Sequence, residues 1–280
     1  LACMWLLPLS LVAQQRPLLT PEAEVIQAGE FLVQFGFEFL EDQRFPLAGL
    51  EGNLMRVGVL GLRFGVSRAV EVQAEGTLRN FLSVSERQSA FVTPILGRSG
   101  QSTSDIGDFS VAAKVRLFCE RSRRPALGSR FGFEMPNSNQ RRGIGLNTTN
   151  VFSTLLAEKH FGQLTTFGSV GLAILDGPAG LFTQNDVVLL GVGVMVPVND
   201  RLKILGEAQG RKSTRATPAT SPLVGTGSRG QARLGVQIFA GGVRWDLATI
   251  VGLTRDDADT GFTFGVAKNI KLFSAAGGAR

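Results

Sequence analysis

Phe31-Leu32-Val33-Gln34-Phe35-Gly36-Phe37-Glu38-Phe39 carries an apolar side chain at every odd position, with Gln34, Gly36 and Glu38 among the even ones. Successive side chains of an extended chain point to opposite faces, so this stretch reads as a strand with one greasy and one mostly polar face. The same alternation returns in Val70-Glu71-Val72-Gln73-Ala74-Glu75-Gly76-Thr77-Leu78-Arg79 and in Phe109-Ser110-Val111-Ala112-Ala113-Lys114-Val115-Arg116-Leu117. It recurs over 202–211, 232–238 and 245–253, and in weaker form over 54–66, 127–135, 149–159, 164–175, 186–198 and 261–273. Together these give twelve strand candidates.

The connections alternate in length. Those around 40–53, 83–104, 136–147, 176–185, 212–228 and 254–260 are long or polar, whereas those around 67–68, 120–125, 160–163, 199–201 and 241–242 are short. Such alternation with an even strand count predicts an all-β fold, an antiparallel transmembrane β-barrel of about twelve strands. Long loops would lie outside the cell and short turns in the periplasm. A soluble sandwich gives no reason for the lengths to alternate.

Size then assigns the faces. Roughly eight strands close around a core that side chains can fill, and a larger barrel leaves a lumen. A twelve-stranded wall therefore turns its polar face inward. Glu71, Glu75, Arg79, Lys114, Arg116, Lys203, Glu207, Arg211 and Arg233 fall on the polar parity of their strands and are expected to line the pore. Val111 falls on the lipid side, so Val111→Arg is expected to impair assembly, and Lys114→Glu to alter only ion preference. The loop 83–104 is the expected external gate or partial plug, since loops beyond ~12–15 residues are usually functional or disordered.

Composition agrees. Hydrophobic residues make up 44% of the 280 and charged residues only 19%, which excludes a disordered chain. No stretch reaches the ~18–20 apolar residues of a transmembrane helix. Net charge is +6, but the basic residues cluster at turns (Arg121, Arg123, Arg124; Arg141, Arg142) and not in a stripe, so nucleic acid is not expected as a partner. The expected partners are outer-membrane lipid, a small-molecule solute and the barrel assembly machinery. Residues 1–13 read as a secretory signal, 14–28 as a periplasmic segment, 29–273 as the barrel and 274–280 as a tail.

Ser104-Asp105-Ile106-Gly107-Asp108-Phe109-Ser110-Val111-Ala112-Ala113-Lys114-Val115-Arg116-Leu117 resembles the "GIGDLTLGAKYRL" strand of the transporter-like outer-membrane family associated with the MetA pathway of phenol degradation. Phe131-Gly132-Phe133-Glu134-Met135-Pro136 is similar to that family's next strand. Residues 233–236, 245–247 and 261–266 are similar to its last hairpins. The chain departs from the family where "TYRF" is replaced by Asn269-Ile270-Lys271-Leu272-Phe273 and a tail follows. The resemblance implies a channel in the outer membrane of a Gram-negative bacterium that passes small hydrophobic or aromatic compounds.

Enzyme chemistry finds little support. The one histidine, His160, sits at a short turn with no serine or acidic partner at a suggestive spacing, so neither a barrel lipase nor another nucleophilic enzyme is expected. Gly225-Thr226-Gly227-Ser228-Arg229-Gly230 matches a dinucleotide fingerprint literally, but a loop precedes it and a strand follows. Arg255-Asp256-Asp257-Ala258-Asp259 reads as a solvated loop, and Asp105 and Asp108 as turn and strand-start residues. No cofactor and no metal are expected. The competing readings are a plugged structural barrel and a soluble secreted β-barrel that binds a ligand.

Overall fold

The computed structural model describes residues 17–177, 184–215 and 225–273. Residues 1–13, read from sequence as a signal, and 274–280, read as a tail, lie outside the described residues, as do parts of the loops 176–185 and 212–228. The strands are β1 (Glu30–Phe45), β2 (Leu50–Gly65), β3 (Val70–Arg87), β4 (Ser102–Asp105), β5 (Phe109–Phe118), β6 (Ala126–Met135) and β7 (Asn150–Phe161). They continue as β8 (Leu164–Leu175), β9 (Asn185–Asn199), β10 (Leu202–Ser213), β11 (Arg229–Ala240), β12 (Val243–Gly252) and β13 (Thr260–Lys271).

Each long strand pairs antiparallel with its chain neighbour, and β1 pairs with β13 from Glu30↔Lys271 to Glu41↔Thr260. The sheet therefore closes on itself. The short β4 and then β5 pair in turn along β3, so they share one place in the wall. The result is a twelve-stranded antiparallel barrel, as the alternation predicts. Closure removes every unpaired strand edge, which an apolar surrounding would otherwise penalise.

Alternation decides what each face shows. Outward side chains are apolar along the wall: Phe35, Phe131, Leu155, Val192 and Phe262 are exposed, and Leu172 and Leu234 are 62% and 64% exposed. Inward positions hold charged and polar groups, with Lys114 and Glu71 both 0% exposed. A surface of this kind suits a bilayer, not water.

Two loops come out shorter than the sequence implies. The expected connection 40–53 shrinks to 46–49, because β1 and β2 extend toward each other. The expected loop 83–104 loses both ends, since β3 runs on to Arg87 and residues 102–105 pair with 80–83. The remaining 88–101 lies against neighbouring loops: Val92 donates its N–H to the Leu47 carbonyl and Ile95 to that of Arg141. Leu40, Leu50, Leu54, Leu82 and Ile250 face inward at this end and pack with Leu96 and Ile144 into an apolar cluster.

The N-terminal segment departs most from expectation. Residues 17–28 do not lie beneath the barrel. They run inside its short-turn half, where Leu18, Thr20, Glu22, Ala23, Val25 and Ile26 are buried.

Candidate luminal site

A strand-like segment that enters a lumen without pairing to the wall must find other partners for its backbone N–H groups. Luminal carboxylates supply them. The two oxygens of Glu207 on β10 accept from Leu19 N (2.7 Å) and Thr20 N (2.8 Å). Glu158 on β7 accepts from Glu24 N at 3.2 Å, and Glu71 on β3 from Ile26 N at 2.8 Å. Cations hold the complementary groups: Lys114 Nζ donates to the Glu24 carbonyl and Arg116 to its carboxylate, each at 2.5 Å, and Arg233 donates to the Pro17 carbonyl at 2.9 Å. The neighbours β3 and β5, then β7, then the neighbours β10 and β11 lie at three separate places in the wall, so the segment is tethered to several parts of it.

Packing completes the fit. Leu18 lies among Phe167, Met195 and Leu205, Ala23 against Ala126 and Leu156, and Ile26 against Leu32 and Ala267. Gly65 makes room for the entry, since a Cβ there would overlap the Gln27 carbonyl.

Most of the residues expected in the pore do face inward, but many serve the segment instead of lining an open path. Glu71 lies 3.3 Å from Lys114 and 3.8 Å from Arg63, all fully buried. Glu75 meets Arg130 at 3.3 Å, and Lys203 stands 5.4 Å over the Phe239 ring. Arg233 bridges Glu38 at 2.7 Å. Arg211 points into the upper lumen and donates to the carbonyls of Gly225 and Gly227.

Arg79 is the exception. It pairs with the outward Val57, donates to Ser104 Oγ at 2.8 Å and lies 5.9 Å over the exposed Phe81. The cause is Gly58, whose φ of +68° only glycine adopts readily. There β2 and β3 switch faces together: Thr77 is buried below the switch and Leu82 above it. Strict alternation through 70–79 cannot register that change.

Arg56, Arg63, Arg229 and the N-terminal segment are among the luminal elements that the sequence reading missed. Arg229 sits two residues before Gln231 and four before Arg233, on their parity, so alternation extended toward the loop finds it. Arg56 needs the face switch at Gly58 to be known first.

The remaining motifs take structural roles. His160 does have an acidic partner: its Nδ1 lies 2.6 Å from Glu120 Oε2, while Lys159 Nζ contacts Glu120 Oε1 at 2.7 Å. Burial raises the Glu120 pKa, but the hydrogen bonds from Lys159 and His160 outweigh it and hold this carboxyl below its usual range. Asp108 accepts from the N–H groups of Asn137 and Ser138, and Asp105 from that of Asn139, so both pin the loop after β6. The glycines of 225–230 lead straight into β11. Asp257 accepts from Gly230 N and Thr254, and no group of three or more potential metal ligands occurs among the described residues.

The solved outer-membrane channel of the COG4313 group from Pseudomonas putida F1 superposes with a TM-score of 0.64 at 12% identity, over 89% of this chain and 98% of that one. The fold is that of an outer-membrane β-barrel. The translocator domain of the autotransporter NalP from Neisseria meningitidis matches at TM-score 0.47 and 14% identity, over 86% of this chain and 88% of its own. The outer-membrane channel DcaP of Acinetobacter baumannii matches at 0.42 and 10%, over 88% and 100%. No family model and no curated protein matches the chain in sequence.

Proposed function

We propose that the chain is an outer-membrane channel for passive passage of small hydrophobic or aromatic compounds, held closed here by its own N-terminal segment. The observation that carries this is the closed wall with apolar outside and charged inside, which leaves a space of about 360 Å³ above the segment. Such a space is within the range of small-molecule pockets. The long loops then face the exterior and the short turns the periplasm, and the apolar belt meets lipid. Assembly would pass through the barrel assembly machinery. On this reading passage is passive and selectivity rests on the side chains that line the space. The resemblance to the MetA-associated family supports the aromatic preference.

A second reading, a plugged structural barrel, is favoured by the tethers that fill the lower lumen. Planar-bilayer conductance separates the two. Full-length protein is expected to give small steps, and protein lacking residues 17–28, with folding checked by heat-modifiable mobility, larger ones. Silence of both folded proteins, and of a folded variant in which the 88–101 loop is shortened as well, selects the structural barrel.

A further inference from the structure

At the long-loop end of β10 and β11, Arg211 and Arg229 are directly opposite each other in the ladder, and both side chains turn into the lumen. Like charges placed opposite on adjacent strands repel. Neither has a carboxylate within 4 Å among the described residues. Arg211 bonds to the Gly225 and Gly227 carbonyls, and Arg229 to that of Arg44. The acidic groups nearby bond elsewhere, Glu38 to Arg56 and Arg233, Asp257 to Gly230 and Thr254, Glu134 to Asn150, and Asp108 to Asn137 and Ser138; Asp256 and Asp257 attract both guanidiniums, and Glu134 attracts Arg211, only at longer range.

This pair stands where two cavities meet. The lower one, about 360 Å³, rests on Leu19 and Thr20 and has Leu40 and Ile250 in its wall. The upper one, also about 360 Å³, is bounded by Phe45, Ile144 and Leu146 beneath the loops. Arg56, Arg211 and Arg229 line both. A solute crossing from the loops to the segment therefore passes an apolar wall and a pair of guanidiniums without a direct carboxylate partner in the same place.

We infer that this vestibule is a binding site for organic anions with an apolar body, of the aromatic monocarboxylate kind. The carboxylate would bond to Arg211 and Arg229, relieving their repulsion, because guanidinium groups offer paired donors that match a carboxylate. The apolar part would lie against Leu40, Ile250 or Ile144. The inference narrows the solute class of the channel proposed above, but binding is measurable without conduction.

The test is calorimetric titration of refolded full-length protein with benzoate and, as its neutral counterpart, benzyl alcohol. Benzoate is expected to bind about ten-fold more tightly or better, equivalent to about 1.4 kcal/mol. Arg211→Gln and Arg229→Gln should each remove most of that preference and leave benzyl alcohol unaffected, while Arg229→Lys keeps part of it. Benzoate affinity of the unaltered protein should also fall between roughly 50 and 500 mM salt, a readout that does not depend on any variant folding. Equal affinities for the two probes, no benzoate binding, salt-independent binding, or a preference that survives in the folded glutamine variants overturns the proposal. Benzoate binding by a silent barrel would reject the channel and keep the site. Conduction without charge discrimination would do the reverse.

Discussion

Lys114 shows how far a side chain's role depends on what shares its space. Alternation places it inward, and an open lumen would let its charge be reversed with only a change in ion preference. Its ammonium is instead fully buried between Glu71 and the Glu24 carbonyl. Lys114→Glu would set two carboxylates together out of reach of water, and removing one partner of a buried pair costs about 3–5 kcal/mol. The expected outcome is therefore loss of the folded, heat-modifiable form, not a shift in selectivity; a folded variant with altered ion preference would show that water reaches this site. Val111 stands on the opposite face, between Ala74 and Phe133. Val111→Arg should cost about 2–4 kcal/mol near the bilayer midplane, read as a lower midpoint in urea unfolding from lipid vesicles. Glu120 supplies a pH effect at the short-turn end. Its folded pKa is depressed, so the stability it contributes is complete above the ordinary carboxylate range and is lost as pH falls through the folded value. Acid should thus loosen the 119–125 turn in hydrogen exchange, and Glu120→Gln should remove that pH dependence.

The N-terminal segment is the element that the sequence conceals. Each wall strand announces itself because its two faces meet different surroundings, and the alternation of Phe31 to Phe39 records that. Most of 17–28 is buried against the inner wall, with Leu19 facing the cavity above, so Leu18, Ala23 and Ile26 follow no period of two. Their partners, Glu71, Glu158 and Glu207, are far away in the chain, and luminal parity looks the same whether a carboxylate faces water or a backbone N–H. Thus strand number, loop alternation and most luminal residues were legible, while the occupant of the lumen was not. Arg79 was misplaced for a related reason: one positive φ at Gly58 turns two strands over, and a glycine alone does not declare its φ. Glu207 makes the segment testable, since it holds two successive N–H groups. Glu207→Ala leaves both without that acceptor, at about 1–3 kcal/mol for the buried Thr20 N–H and less for the partly exposed Leu19 N–H. Amides of Leu19 and Thr20 should then lose exchange protection, while those within β1 to β13 keep theirs. Equal loss across the barrel would mean that the segment and wall fold as one unit.

At the scale of the whole molecule, two closures stand in series along the same path. The segment occupies the short-turn half, and the apolar cluster of Leu40, Leu50, Leu54, Leu82 and Ile250, with Leu96 of the 88–101 loop and Ile144 packed against it, lines the long-loop half; on the channel reading each is a closure. Apolar constrictions of this kind resist ions by shedding water. Resistances in series are limited by the larger, so relieving one closure leaves the other in control. The space between them, where Arg211 and Arg229 stand, would then act as a chamber and not as a free passage. This arrangement makes a specific demand on conductance. Deleting 17–28 alone, or shortening 88–101 alone, should raise conductance by less than the two changes made together, and the double variant should exceed the sum of the two single gains. If either single change already produces the conductance of the double variant, the other closure does not limit the path.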